Sequence, residues 1–186
     1  INYSDASLRF LIPTGDDIFT SPSFYNNNIY FGSDDGNVYA VDINGNILNG
    51  FPINVESPIS GSVVFSDIDG DGEHNMFFGT EYGKIFAFDE NQHLLDHFPI
   101  IYQYGISSSL QIIDFDNDGD AELVAGSQGD VVVVDMKFDS FSSQGYWSLF
   151  KGKYERNALF ESSFNEGCGN PLLGDVNCTG IIDILD

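Results

Sequence analysis

Asp67-Ile-Asp-Gly-Asp-Gly-Glu-His-Asn75 is the stretch that decides the fold of this chain. It returns 47 residues later as Asp114-Phe-Asp-Asn-Asp-Gly-Asp-Ala-Glu122. Each copy has three carboxylates at alternate positions, then a glycine, then a further oxygen-bearing side chain at the ninth position. A hard cation such as Ca²⁺ takes several oxygen ligands, and the glycine lets the backbone turn sharply around the ion. The two copies predict a repeat protein whose repeats carry metal loops.

The residues around both loops keep the same 47-residue spacing. Phe31-Gly-Ser33 is followed at that interval by Phe78-Gly-Thr80 and then by Ala125-Gly-Ser127. Phe51-Pro-Ile53 and Phe98-Pro-Ile100 are separated by the same interval. A fixed period of this length is typical of a protein built from stacked structural repeats.

The first repeat lacks the acidic loop. Small-residue triplets open the units, and Ser62 and Ser109 are 47 residues apart whereas Ser23 and Ser62 are only 39 apart. Where the later units have the acidic loop, the first has Tyr25-Asn-Asn-Asn28, which predicts a tight turn without metal.

Each unit contains short apolar runs rich in β-branched and aromatic residues, separated by glycine turns, without helical periodicity. We therefore expect an all-β fold in which four-stranded antiparallel units of about 47 residues form the blades of a partial β-propeller. Ile12-Pro13 is expected to be the outer strand of a preceding unit. The predicted divisions are residues 1–20 (end of a preceding blade), 21–58 (blade without metal loop), 59–105 and 106–160 (blades with metal loops), 161–173 (linker) and 174–186 (a separate loop).

Composition limits the function. Six lysines and arginines against 29 aspartates and glutamates give a net charge of −23, which argues against nucleic acid or an anionic membrane surface as a partner. No apolar run is long enough to span a bilayer. The chain begins with Ile1 and has no signal peptide, so we expect a mature or excised piece of a longer protein.

The two acidic loops with their flanks resemble FG-GAP/VCBS repeats, the blades of integrin-α-like propellers, and the first unit resembles a PQQ-type propeller repeat. Trp147 and the residues up to Asn157 are similar to the closing motif of such propellers in secreted bacterial proteins. The resemblance implies a set of calcium ligands in each loop, with Glu73 and Asp120 acting through their backbone carbonyls. These ligands are Asp67, Asp69, Asp71, Glu73 and Asn75 in the first loop, and Asp114, Asp116, Asp118, Asp120 and Glu122 in the second.

The family usually has Asp at the ninth position. Asn75 removes one charge, so the first site is expected to be the weaker, and the longer Glu122 is expected to bind in a different mode.

The C-terminal residues carry a second resemblance, to the first calcium loop of a type I dockerin. Thr179 stands where Asp is usual, and the chain stops where a helix should follow, so this truncated EF-hand-like loop is not expected to bind a cohesin-like partner by itself. The sequence allows two alternatives here: a third calcium site in this loop, or a disordered acidic terminus without metal. The implied ligands are Asp175, Asn177, Thr179, Ile181 (through its carbonyl), Asp183 and Asp186.

The two cysteines, Cys168 and Cys178, lie close together near the C-terminus. In an extracellular chain such a pair indicates a local disulfide, and two free thiols are the alternative.

No catalytic motif is present: the sequence has no G-x-S-x-G, no H-E-x-x-H and no P-loop. His74, His93 and His97 lack zinc-like spacing and are predicted to lie on the surface, with His74 pointing outward. Trp147 and its aromatic neighbours are expected to be core residues, with a sugar-stacking platform as the alternative.

These observations favour a secreted or cell-surface bacterial module, stabilised by calcium, that is not an enzyme and binds or scaffolds an extracellular protein or polysaccharide. One alternative is the non-catalytic C-terminal region of a larger secreted hydrolase. Another is a structural subunit that self-associates through open blade edges.

Overall fold

The computed structural model describes residues 7–138, which form eleven β-strands in three antiparallel sheets and contain no helix. None of this part of the chain therefore provides a membrane-spanning helix. The strands are β1 (Ser23–Tyr25), β2 (Asn28–Gly32), β3 (Asn37–Asp42), β4 (Ile53–Asn54), β5 (Val64–Ser66), β6 (Asn75–Gly79), β7 (Lys84–Phe88), β8 (Ile100–Ile101), β9 (Gln111–Ile113), β10 (Ala121–Gly126) and β11 (Val131–Met136).

Each sheet is a simple meander of consecutive strands. The first has the order β1-β2-β3-β4, the second β5-β6-β7-β8, and the third β9-β10-β11 within the described residues. The short runs predicted from the sequence fall on these strands, with four antiparallel strands in each of the first two units. The all-β architecture and the propeller-like blades are confirmed.

The connection between the first and second strands differs among the blades, as expected. In the first blade a two-residue turn joins β1 to β2, and Asn26 and Asn27 have φ angles of 47° and 61°. Positive φ at both central residues is typical of a tight hairpin turn, and asparagine tolerates it better than most residues. The acidic loops occupy this same place in the second and third blades.

The core is continuous across all three sheets. Every residue of β6 is buried, because the middle sheet is covered on both faces by its neighbours. One cluster of buried side chains extends from the first blade to the third and includes Val38, Phe65, Phe77, Ile85 and Leu123. A strand buried on both faces is expected to be apolar along its whole length rather than alternating, which explains the Met-Phe-Phe run of β6.

The serine triplets that open the units link neighbouring blades. Ser23 Oγ donates to the Val63 carbonyl at 2.5 Å, and Ser60 Oγ donates to the Ile106 carbonyl at 2.5 Å. The Ser62 backbone N–H donates to Ser109 Oγ at 3.0 Å. Small hydroxyl side chains therefore satisfy backbone groups where the sheets approach most closely.

Residues 7–22 form no strand, and the expectation that Ile12-Pro13 is the outer strand of a preceding blade stays a prediction. No strand within residues 7–138 pairs with them. Phe10 and Ile12 instead pack on a small aromatic cluster of the first blade, which contains Phe31, Tyr39 and Val41. Residues 139–160 of the third unit, the linker and the C-terminal loop lie outside the described residues.

Successive blades also meet through an isoleucine and a glycine. Gly32, Gly79 and Gly126 occupy the same place in the three second strands. A Cβ on Gly79 would overlap Ile106 Cγ2 and lie 2.8 Å from Ile106 Cβ, and a Cβ on Gly32 would meet Ile59 in the same way. At Gly126 the nearest atom is Ser108 Oγ, at 3.0 Å.

Gly79→Ala is expected to destabilise the chain by about 1–3 kcal/mol, because the added methyl group overpacks the contact with Ile106. Gly126→Ala is the matched control, since its neighbour is a rotatable serine side chain. Chemical denaturation of both variants measures the difference. Equal losses of stability would contradict the packing argument.

Candidate metal centre

The first acidic loop (residues 67–75) connects β5 to β6, and the second (residues 114–122) connects β9 to β10. The pairing of Ser66 with Asn75 and of Ile113 with Glu122 closes each loop at its base. Both loops therefore lie at the same corner of their blades, and a pair of antiparallel strands fixes their ends.

Asp67 organises the first loop. Its Oδ1 accepts a hydrogen bond from the Gly70 backbone N–H at 2.6 Å, and its Oδ2 accepts one from the Gly72 N–H at 3.0 Å. Asp67 is only 4% exposed. The backbone thus wraps around one carboxylate, and both of its oxygens are held by backbone N–H groups.

Three carboxylates converge in this loop. Asp67, Asp69 and Asp71 each offer an oxygen, and these three oxygens lie within 4.8 Å of one another. Burial raises the pKa of Asp69, and the nearby carboxylates of Asp71 and Asp67 raise it further. Like charges this close repel, and a divalent cation between them would remove the repulsion.

Asn75 closes the loop from the ninth position. It is 2% exposed, and its Oδ1 accepts a hydrogen bond from the Ile68 backbone N–H at 2.9 Å. The side-chain carbonyl oxygen of Asn75 therefore holds the backbone of Ile68, the second residue of this loop, and lies at the base of the acidic group. Glu73 is exposed, and its backbone N–H donates to Asp71 Oδ1 at 2.8 Å; its role as a carbonyl ligand stays a prediction.

The second loop repeats the backbone of the first. Asp114 Oδ1 accepts from the Asn117 N–H at 2.6 Å and Oδ2 accepts from the Gly119 N–H at 3.2 Å. Glu122, which is 2% exposed, accepts from the Phe115 N–H at 2.9 Å and thus takes the place of Asn75. The same cradle is therefore built twice, 47 residues apart.

The left-handed positions of the two loops also coincide. Gly70 and Asn117 have φ angles of 72° and 62°, and Gly72 and Gly119 have φ angles of 88° and 100°. A Cβ at Gly72 or Gly119 would meet nothing within 4 Å. Glycine is thus needed there for its backbone conformation rather than for space.

The carboxylates of the second loop are arranged differently from those of the first. Asp114, Asp116 and Glu122 form one group of oxygens within 4.8 Å, and Asp118, Asp120 and Glu122 form another. A hydrogen bond between Asp118 and Asp120 lowers the pKa of Asp118 and raises that of Asp120. The side chain of Asp120 thus belongs to the acidic group, whereas its role as a carbonyl ligand stays a prediction.

Lys137, which the sequence did not single out, lies against this second group. Its Nζ is 2.7 Å from Asp135 Oδ1, 3.1 Å from Asp120 Oδ2 and 3.4 Å from Asp118 Oδ2. The hydrogen bond to Asp135 is the largest cause of the raised pKa of Lys137, followed by the one to Asp120.

The prediction that His74 points outward is wrong. Its ring lies 5.0 Å from the ring of Tyr25 in the first blade and 5.6 Å from the ring of Phe65, and Tyr25 stacks on Phe65 at 4.5 Å. Burial lowers the pKa of His74, against the opposing effects of Glu73 and Glu90. The first acidic loop is therefore anchored to the neighbouring blade by an aromatic contact. His93 and His97 are exposed, as predicted.

The remaining predicted site residues cannot be placed. The six candidate ligands of the C-terminal loop, the two cysteines Cys168 and Cys178, and Trp147 all lie outside the described residues.

No family model matches the sequence, and no curated protein matches it. Among solved structures, the chain is similar to BBS1N in a crystal structure of its complex with ARL6DN soaked with lead, with a TM-score of 0.55 and 12% identity. That match covers 69% of this chain and 39% of the BBS1N chain. It supports the propeller-like fold and extends to nothing beyond the fold.

Two further solved structures match more loosely. BamB from Moraxella catarrhalis has a TM-score of 0.47 and 18% identity over 67% of this chain and 34% of BamB. The computationally designed Ika4 protein has a TM-score of 0.37 and 19% identity over 70% of this chain and 98% of Ika4.

Gly119→Ala is expected to destabilise the chain by about 1–2 kcal/mol, because alanine is strained at a left-handed φ. Asn117→Gly, two residues earlier, relieves a left-handed non-glycine and serves as the control. Thermal unfolding in chelator measures both, and an equal or greater loss in Asn117→Gly would contradict the assignment of backbone strain.

Asn75→Ala is expected to cost about 1–3 kcal/mol, because it leaves the Ile68 N–H without its buried acceptor. Asn75→Asp keeps an acceptor and should recover much of the stability when calcium is present. Denaturation in excess calcium tests the pair, and an Asn75→Ala variant as stable as wild type would show that water replaces the amide.

Proposed function

We propose that this chain is a secreted, calcium-binding β-propeller module that binds or scaffolds an extracellular protein or polysaccharide and has no catalytic activity. The observation that carries the proposal is the twice-built loop, in which the first carboxylate accepts two backbone N–H groups and further carboxylates converge beside it. One acidic turn alone would be weak evidence. Two with the same hydrogen bonds and the same φ pattern support a common ligand.

The donor set favours calcium among divalent ions. Within the two loops the side-chain donors are carboxylate oxygens and the amide oxygen of Asn75, with no sulfur and no imidazole turned towards them. Hard oxygen donors suit Ca²⁺ or Mg²⁺, and a flexible loop with many carboxylates suits the larger ion, which accepts about six to eight ligands. When bound, the ion would neutralise the acidic groups and tie the two ends of each loop together.

Calcium is proposed to be structural. Each loop joins two strands of one sheet, so an ion there would stiffen a hairpin inside one blade. The first blade makes the same connection with Asn26 and Asn27, so the blade fold itself does not depend on metal. The function would then lie on other surfaces of the module.

Secretion and the extracellular partner rest on two features. Millimolar calcium is found outside cells, where weak extracellular sites are loaded, and a net charge of −23 suits a solvated surface rather than a polyanionic partner. A cohesin-like partner requires a complete dockerin in the parent protein, and self-association through sheet edges remains an alternative use of the same module.

Excess calcium is expected to raise the melting temperature relative to excess chelator. At free calcium a hundred times Kd, each loaded site adds about 2.7 kcal/mol to the free energy of unfolding. Asp114→Ala should lose the contribution of the second loop. Asp42→Ala is the control, because Asp42 accepts hydrogen bonds from the Asn44 and Asn46 N–H groups in an ordinary turn. A calcium-induced shift that is absent, or equally reduced in both variants, would refute the proposal.

Asn75→Asp is expected to raise the calcium affinity of the first loop and to lower the stability of the metal-free chain. The added carboxylate gives the ion a further charged ligand, and without the ion it joins three like charges. Calorimetric titration and chelator melts measure the two effects. If Asn75→Asp raises both the calcium affinity and the metal-free stability, or lowers both, the result would count against an ion at this position.

A further inference from the structure

The two acidic loops differ in one respect that their common backbone does not explain. In the first loop the residues at positions one, three and five share a site, namely Asp67, Asp69 and Asp71. In the second loop the fifth residue, Asp118, is grouped with Asp120 and Glu122 instead of with Asp114 and Asp116.

Lys137 lies beside the group of carboxylates that contains Asp118. It follows β11 directly, and its Nζ lies within 3.4 Å of Asp118, Asp120 and Asp135. Asp135 pairs with Glu122 across β10 and β11, so these two acids are neighbours across the strands. The ammonium group therefore sits where the carboxylates of the second loop meet those of β11.

The first acidic loop has no lysine at this place. Lys137 comes two residues after Asp135, which closes the third-strand run of its blade, and the residue two after Asp89 in the middle blade is Asn91. The Asn91 N–H donates to Asp89 Oδ1 within a turn. The lysine is thus specific to the blade in which Asp118 is displaced.

We propose, on the basis of the calcium function above, that Lys137 is a built-in competitor for the second metal site. In the metal-free chain its ammonium group holds Asp118 and Asp120. When calcium binds between Asp114, Asp116 and Glu122, Asp118 leaves Lys137 and joins the ion. The second loop therefore binds calcium less tightly than its four carboxylates alone would predict.

The magnitudes favour exchange rather than a permanent ion pair. The Lys137 side chain is 64% exposed, and exposed ion pairs contribute little net stability. A divalent ion held by several carboxylates interacts more strongly with Asp118 than a solvated ammonium group does. The lysine can thus be displaced while it still lowers calcium affinity, because its charge repels the incoming ion.

The test uses the full chain with the other loops silenced by Asp67→Asn, Asp69→Asn and Asp175→Asn, so that titration calorimetry reports the second loop. Lys137→Met removes the charge and keeps the length, and Lys137→Arg keeps the charge. Lys84→Met, at the start of β7, makes the same change in net charge elsewhere.

We expect Lys137→Met to tighten calcium binding on the order of tenfold, the effect of one unit charge a few ångströms from a divalent ion in water. Lys137→Arg and Lys84→Met should stay within about twofold of the background.

A second measurement does not depend on a lysine variant. In the otherwise unchanged chain, calcium should shift the NMR resonance of Lys137 Cε, and the shift should vanish in Asp114→Asn/Asp116→Asn. If the second loop binds calcium and the chemical shift of Lys137 Cε does not change, the inference is overturned.

The outcomes separate the two claims. If neither acidic loop binds calcium, the proposed function fails and the inference falls with it. If the second loop binds calcium and Lys137→Met leaves its affinity unchanged, lowers it, or changes it as Lys84→Met does, the proposed function stands and the role of Lys137 is refuted.

Discussion

Successive sheets in this chain pack so closely that an isoleucine of one unit lies on a glycine of the unit before it. Ile59 contacts Gly32 and Ile106 contacts Gly79, and the backbone N–H groups of both isoleucines donate to the preceding blade. This contact sets the spacing between sheets, and the serine hydrogen bonds can form only at that spacing. Both acidic loops lie at the same corner of their blades because each one joins the first and second strands of its own sheet.

The strands, the blade period and the place of the acidic loops could be predicted from the sequence because they depend on local signals. Alternating carboxylates, glycine turns and β-branched runs act within a few residues of one another. The absence of the loop from the first blade was also predictable, from the eight-residue difference in spacing and the Asn-rich turn.

The features that sequence reasoning missed depend on contacts between segments that are distant along the chain. His74 is turned inward by Tyr25, which lies in another blade, and Lys137 reaches the second loop only because β11 pairs with β10. Ser60 and Ser107 occupy equivalent positions in the repeat. Those positions give no indication that Ser60 Oγ donates to the Ile106 carbonyl of the next blade.

The interchangeable hairpin connection has a consequence for how such a chain can change. A turn of two asparagines and a loop with several acids fit between the same two strands without altering the sheet around them. If the acidic loops bind calcium as proposed, dependence on the ion is a property of single units, and it can be gained or lost one unit at a time. Under the same proposal, short insertions at one corner of a blade change the response of the chain to calcium while its sheets keep their arrangement.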